Sequence, residues 1–150
     1  MQRYYIPALG NLYASFESLA LPILRAGMGI ILMAHGSQKL FGMFGGMGLN
    51  GNAALFDKLG YHPGMFWGTL VGCTELVAGF CLVIGLFTRL AALSIVIFMI
   101  MAIHFTSTTN GFWWTKGGME YSLLMLLVSL VFLVRGSSGY SVDSTMGKEF

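Results

Sequence analysis

Three ionisable residues in apolar surroundings have the chemistry and spacing of a proton-transfer site. His35 and Lys39 lie four residues apart near the end of one apolar stretch, and Glu75 lies in the middle of the next. Residues four apart share one face of a helix, so both can approach the same partner. Because imidazole titrates near neutral pH, a histidine beside a carboxylate can move protons that are coupled to a redox ligand. We therefore predict that His35 and Glu75 are catalytic residues.

Four residues could complete a polar pocket around this pair. Charged side chains in lipid are costly and normally face a helix-bundle interior, a cavity or the headgroups. We predict that the following residues bind the ligand: Arg25, Lys39, His104 and Glu120. Two interpretations stay open. Paired charges could instead clamp four helices together, and His104 and Glu120, which lie near the interface, could simply snorkel or cap a helix.

The composition places most of the chain in lipid. Of its 150 residues, 56% are hydrophobic and 9% are charged. Soluble domains have about 25% charged residues, so water is not the main solvent of this chain. One span needs ~20 apolar residues, and the length therefore allows a single domain of about four spans. The predicted fold class is an all-α integral membrane protein, an antiparallel four-transmembrane-helix bundle over residues 1–150.

Apolar stretches and breaker residues give the approximate boundaries. Residues 1–18 are predicted to lie at the interface before the first span, which has Pro22 in its first turn. Glycines at 42–51 predict a flexible or re-entrant loop, and a short surface helix is expected at 52–59. The short turn at 85–89 makes the second and third spans antiparallel neighbours. The predicted spans are residues 19–44, 64–86, 90–105 and 119–134.

The second apolar stretch carries glycines at helical spacing. Gly64, Gly68 and Gly72 are four residues apart, and Gly79 follows seven later. Small residues at this spacing let two helix backbones touch. We therefore predict that Gly68 and Gly72 are structural contact residues, with Glu75 on or beside the same packed face.

Basic residues are divided unequally between the two sides of the predicted bundle. Five lie on the side of both termini and three on the other: Arg3, Arg25, Arg89, Arg135 and Lys148 against Lys39, Lys58 and Lys116. Because an excess of Lys and Arg marks the cytoplasmic side, both termini are predicted to be cytoplasmic. Arg89, in the short turn, is predicted to anchor the helices to lipid headgroups.

Several functions are disfavoured by what the sequence lacks. A net charge of +2 without a basic run argues against nucleic-acid binding, and no phosphate loop, dinucleotide fingerprint or nucleophile elbow is present. Cys73 and Cys81 are eight residues and therefore ~12 Å apart along a helix, too far for a disulfide. No metal site is predicted. A haem held by His35 and His104 has weak grounds, because no haem-binding motif accompanies these two histidines. A solute carrier is disfavoured because no internal repeat is visible.

Short motifs follow one another in a definite order from about residue 19 to residue 143. They are Arg25 with Gly29, His35-Gly36 with Lys39-Leu40 and Gly42, Glu75 with Gly79, residues 85–92, Gly118 with Glu120, and Ser141-Val142-Asp143. In this order and spacing the chain resembles the DoxX family of small four-span bacterial membrane proteins. The resemblance implies a bacterial inner-membrane location. It also implies a link to redox work, since the related DoxD subunit belongs to a thiosulfate:quinone oxidoreductase and other members are associated with oxidative-stress and thiol-redox complexes.

Two functions from different classes are therefore expected. The leading hypothesis is an inner-membrane redox-associated subunit that binds a quinone-like ligand in a polar intramembrane pocket. Because the sequence shows no soluble electron-input domain, such a protein would need redox partner subunits in the bilayer. The alternative is a non-catalytic interaction or assembly subunit, whose glycine faces pack against a partner or against a second copy in a homo-oligomer. Quinone is the one cofactor that these hypotheses suggest.

Overall fold

The computed structural model describes residues 5–148, apart from the side chains of Pro7 and Ala8. Arg3, one of the basic residues counted above, lies outside this range. The described chain is helical and contains no strand. The helices are α1 (Pro7–Phe41), α2 (Gly48–Lys58), α3 (Gly64–Ile84), α4 (Thr88–Asn110), α5 (Glu120–Arg135) and α6 (Val142–Met146).

Helix α1 begins at Pro7, twelve residues before the predicted start of the first span. The helix has 35 residues and is therefore about 52 Å long. Pro7 occupies the first turn, where its missing N–H would be unpaired in any case. Pro22 lies inside the helix rather than in its first turn, because a long membrane helix tolerates the loss of one backbone donor. Gly42 ends α1 in the left-handed conformation with φ 69°.

Three helices in the described chain are long and apolar enough to cross a membrane, namely α1 from Leu9 onwards, α3 and α4. The bounds of α3 agree with the predicted second span, whereas α4 continues to Asn110, beyond the predicted end at residue 105. Helix α5 has 16 residues and is about 24 Å long, shorter than the ~30 Å hydrocarbon core. The described part of the chain is therefore all-helical, with three candidate membrane spans identified by length and hydropathy.

Helices α1 and α3 approach each other through glycines. A Cβ added at Gly29 would lie 2.5 Å from the carbonyl oxygen of Gly79, and one added at Gly36 would lie 2.7 Å from the backbone nitrogen of Leu76. The later residue on α1, Gly36, meets the earlier residue on α3, Leu76, so the two helices are antiparallel. Gly79 belongs to the glycine series for which close helix packing was predicted.

Helix α5 packs antiparallel against α4. Arg89 at the start of α4 donates a hydrogen bond to the carbonyl of Leu133 near the end of α5, at 3.2 Å. At the other end, the Met119 N–H bonds to the carbonyl of Gly111 at 3.0 Å. Arg89 therefore ties two helices together, a contact that the predicted role of headgroup anchor did not include. The core between the helices includes Leu32, Leu82, Ile95 and Phe132.

Helix α2 corresponds to the short helix predicted at 52–59 and takes in the last four residues of the predicted loop. It begins at Gly48 rather than at residue 52, and Asn52 and Ala53 are buried. The Asn52 side-chain amide donates to the carbonyl of Gly68 at 2.9 Å, which holds α2 against α3. The helix is more than a surface element because Gly68 leaves room for its backbone: a Cβ there would lie 3.2 Å from the nitrogen of Ala53.

The segment after α5 folds back over residues 85–87, which join α3 to α4. We call this end of the helices the clamp end. The buried Asp143 carboxylate accepts hydrogen bonds from the N–H groups of Phe87 and Thr88, at 2.8 and 2.9 Å. The Asp143 N–H in turn donates to the carbonyl of Gly85 at 2.9 Å. Asp143 thus caps α4, and the segment that follows α5 is part of the folded structure.

Candidate ligand-binding site

Lys39 and Glu75 form an ion pair within the membrane-spanning region. The lysine nitrogen lies 2.5 Å from each carboxylate oxygen. Glu75 is about 16 Å along α3 from Gly64, which is about half the thickness of a hydrocarbon core. The Glu75 side chain is 4% exposed and that of Lys39 is 27% exposed. The pair is therefore buried on the glutamate side and reaches open space on the lysine side.

That open space is a cavity of about 470 Å³ between α2, α3 and α4, with Lys39 in its wall. Pockets for small molecules occupy roughly 300–1,000 Å³ and are mostly apolar with a few polar groups. The wall here is largely aliphatic and aromatic. Besides Lys39, its polar side chains include Asn52, Thr74, Ser94 and Thr106. The space therefore fits an apolar ring or chain that carries a few polar atoms.

The polar groups of the cavity wall differ in what they can offer a ligand. Three hydroxyl groups donate to carbonyls of their own helices at 2.8 Å, those of Thr74, Ser94 and Thr106. Their oxygen atoms remain as acceptors. Lys39 uses two N–H groups on Glu75 and keeps a third, which no ion pair uses, and its nitrogen lies 5.4 Å from the centre of the Phe98 ring. The cavity thus combines one charged donor with several acceptors.

His35 lies one helical turn from Lys39 but contacts a different residue. Its ring packs against Tyr121 of α5, with the ring centres 5.3 Å apart and the planes tilted by 46°. The Tyr121 hydroxyl is buried, and no hydrogen-bond partner for it occurs in the described part of the chain. The prediction paired His35 with Glu75, whereas the structure pairs Lys39 with Glu75 and places His35 beside Tyr121. Tyr121 was missed, although a tyrosine in an apolar helix is a polar signal.

Arg25 lies at the clamp end, away from the cavity. It is 14 residues before Lys39 on the same helix, which corresponds to about 21 Å. The guanidinium is 2% exposed and donates hydrogen bonds to the carbonyls of Ser137 and Tyr140, the second at 2.8 Å. The geometry therefore assigns Arg25 to the contact between α1 and the C-terminal segment, rather than to the predicted ligand pocket.

The structure does not bring His104 and Glu120 to the ion pair of Lys39 and Glu75. His104 is exposed on α4 and is absent from the cavity wall. Glu120 accepts a hydrogen bond from the Trp114 N–H at 3.1 Å and closes the loop before α5. As predicted, Glu120 lies in the first turn of its helix, where a carboxylate is favoured by the helix dipole.

Helix α2 covers the cavity at the end opposite the clamp end. One carboxylate oxygen of Asp57 accepts the Gly64 N–H at 2.7 Å and lies 2.8 Å from Nδ1 of His62. The pKa of Asp57 lies below its usual range, mainly because of the hydrogen bond from Gly64 and secondly because of the one with His62. Asp57 fixes one end of α2 and Asn52 fixes its middle, so the roof of the cavity is firmly attached to α3.

Comparison with known proteins assigns the sequence to a family. The DoxX family model matches residues 20–108. An uncharacterized membrane protein of Mycobacterium tuberculosis is 28% identical over 135 residues, covering 83% of this chain and 80% of its own. An uncharacterized protein of Haemophilus influenzae is 28% identical, covering 93% of this chain and 99% of its own. A Bacillus subtilis protein named "Putative oxidoreductase CatD" is 30% identical, covering 86% and 87% respectively. No solved structure matches the chain.

Proposed function

The chain belongs to the DoxX family of membrane proteins, and from this premise we propose that it is a redox-associated membrane subunit that binds a quinone-like ligand beside Lys39 and Glu75. One observation carries the proposal: a largely apolar cavity of about 470 Å³ has a lysine in its wall that is held by a buried carboxylate. The name of the Bacillus subtilis relative supports redox work.

The wall residues suit the two ends of such a ligand. The free N–H of Lys39 can donate to a carbonyl oxygen of an aromatic dione, and the hydroxyl oxygens of Thr74 and Ser94 can accept from a ring hydroxyl. A bound quinone would supply two-electron redox chemistry. Glu75 fixes the lysine by holding it through both oxygens. His35, one turn away, is the group that we assign to proton exchange with the pair.

The matched residues Ile97 and Ile100 test the ligand site. Both lie on α4 and are almost equally exposed, at 55% and 54%, but of the two only Ile97 lines the cavity. We expect the purified wild-type protein to retain quinone, measured by solvent extraction and chromatography. Ile97→Trp should lower the retained quinone at least tenfold, because the indole fills the space. Ile100→Trp should retain the wild-type amount, and equal retention by both variants would reject the site.

The role of Glu75 is tested by the isosteric change Glu75→Gln. The amide cannot hold the ammonium group of Lys39 as an ion pair, and one charge-assisted hydrogen bond contributes roughly 1.5–3 kcal/mol. We expect quinone affinity per folded molecule to fall about tenfold or more, while the helix content changes little. Glu120→Gln is the control and should leave affinity unchanged. Unchanged affinity in the Glu75 variant would remove that residue from the site.

We extend the proposal to the topology of the chain. Helix α5 would be a short fourth span, since it packs antiparallel to α4 and follows the exposed aromatic residues Trp113 and Trp114, which suit an interface. Arg25, Arg89 and Arg135 all lie at the clamp end, which supports a cytoplasmic position for that end and for both termini. The match to the DoxX family and the Mycobacterium tuberculosis relative, which is named a membrane protein, support the bacterial inner membrane as the location.

The alternative of a non-catalytic assembly subunit has less support. Its predicted contact surface was the set of glycine faces, and these are used within the chain. Gly79 packs against Gly29, and a Cβ at Gly72 would lie 2.7 Å from the Leu40 side chain. A redox partner subunit or a second copy would therefore have to bind a different surface. This alternative predicts that no ligand co-purifies and that Glu75→Gln prevents assembly.

A further inference from the structure

A groove continues the cavity along α3 and α4 towards the clamp end. Its volume is about 420 Å³, and it shares Leu70, Thr74 and Ser94 with the cavity wall. Because these three residues line both spaces, the cavity and the groove adjoin each other. The groove follows α3 from Thr74 to Cys81, which is about 10 Å along the helix axis.

The cavity and the groove differ in polarity. The cavity contains Lys39 and Asn52, whereas beyond Thr74 and Ser94 the groove is lined by apolar groups and two thiols. These residues are Cys73, Val77, Ala78, Cys81, Phe87, Leu90 and Ala91. Several of them face outwards, including Val77 at 59% exposure. A polar head therefore fits only at the cavity end, and a hydrocarbon chain fits the remainder.

We propose that the groove is the tail subsite of the ligand whose head lies beside Lys39, so that the ligand is a single amphiphile with a long isoprenoid or acyl chain. This inference rests on the proposed function. Leu70, in the part that the two spaces share, is exposed, so the ligand enters sideways from the bilayer between α3 and α4. The cavity and the groove adjoin at Leu70, Thr74 and Ser94, so a single flexible molecule can extend from one into the other.

The depth of the head site excludes an ordinary phospholipid as the occupant. Glu75 lies about 16 Å from the end of α3, near the bilayer centre. A charged phosphate at that depth would lose its hydration at high cost. A ligand with an uncharged polar head can reach Lys39 from the lipid, and its tail then continues towards the clamp end.

The matched leucines Leu90 and Leu93 separate this inference from the proposed function. Both lie on α4 and are similarly exposed, at 48% and 41%, but of the two only Leu90 lines the groove. The probes are a long-chain isoprenoid benzoquinone and the same fully substituted head group without a tail. We expect the wild-type protein to bind the long-chain form at least tenfold more tightly. Leu90→Trp should remove that difference without changing affinity for the tailless form, and Leu93→Trp should match the wild type.

Each other outcome has a definite meaning. Equal wild-type affinity for the two probes would overturn the tail subsite and leave the proposed function standing. So would an equal loss of affinity for both probes in the Leu90 variant. Binding of neither probe by the wild-type protein would reject the proposed function, and the tail subsite with it.

The native cysteines provide a second readout. Cys73 is exposed, Cys81 is half-buried, and both free thiols line the groove. In lipid nanodiscs, the long-chain quinone should slow alkylation of Cys81 by a membrane-permeant maleimide about tenfold, while the tailless head group should not. In the Cys73→Ser variant the remaining thiol is that of Cys81, so any protection measured there belongs to Cys81. Equal labelling with and without the long-chain form would show that bulk lipid occupies the groove, and would overturn the inference.

Discussion

Gly29→Val is expected to force α1 away from α3 and to lower the stability of the protein strongly. A Cβ at this position would lie 2.5 Å from the carbonyl oxygen of Gly79 and 2.9 Å from the nitrogen of Val83. These are backbone atoms of a packed helix, so they cannot rotate away as a side chain would. Overpacking in a core costs about 1–3 kcal/mol, and we expect the upper part of that range or more because two backbones must separate.

Gly27→Val is the matched control, since it adds the same side chain two residues away. Apart from the adjoining backbone of α1, no described atom lies within 4 Å of a Cβ at Gly27, and the residue is exposed. Thermal unfolding in detergent, followed by circular dichroism, should show a melting temperature lowered by several degrees for Gly29→Val and near the wild-type value for Gly27→Val. Equal melting temperatures for the two variants would contradict the close packing of α1 on α3.

This packing could be predicted from the sequence because its signals are local. Glycines at four-residue spacing mark a helix face that admits another backbone. Pro63 precedes α3, and Gly85 ends it with φ 69°, a conformation that glycine adopts without strain. The apolar length between these two residues identifies a span. Each of these features belongs to one element and does not depend on the arrangement of the others.

The partner of Glu75 could not be predicted in the same way. His35 and Lys39 share a face of α1, so spacing alone allows either of them to reach the carboxylate. The choice depends on the rotation of α1 about its axis and on the long, flexible lysine side chain, which extends along the helix to meet Glu75. The contact between His35 and Tyr121 depends on where α5 returns to the bundle. Neither the rotation of α1 nor the position of α5 in the bundle is encoded in a local sequence pattern.

Contacts between distant parts of the chain were also missed. Asp143 caps α4 although it is 55 residues from Thr88 in sequence, and Arg25 bonds to Ser137 across 112 residues. The burial of α2 was missed for the same reason, because the hydrogen-bond partner of its buried Asn52 lies on another helix. Arg25 was predicted to bind the ligand because an arginine in an apolar helix looks the same in the sequence whether it binds a ligand or holds two segments together.

Arg25→Met is expected to destabilise the fold without emptying the ligand site. The substitution removes two charge-assisted hydrogen bonds to buried or partly buried carbonyls, each contributing roughly 1.5–3 kcal/mol, and we expect a loss of about 3 kcal/mol or more. Arg25→Lys should be intermediate, because an ammonium group cannot reproduce the planar fork of the guanidinium. Arg135→Met is the control, since Arg135 is exposed at the end of α5. Unfolding by denaturant measures these differences.

Quinone retained per folded molecule distinguishes the clamp from the ligand-binding role predicted from the sequence. Arg25 lies about 21 Å along α1 from Lys39, so retention by the folded fraction of Arg25→Lys should equal that of the wild type, even though its stability is lower. Wild-type stability combined with lost quinone would show instead that Arg25 serves the ligand. The measurement remains decisive if Arg25→Met fails to fold, because the lysine variant keeps the charge and occupies a similar volume.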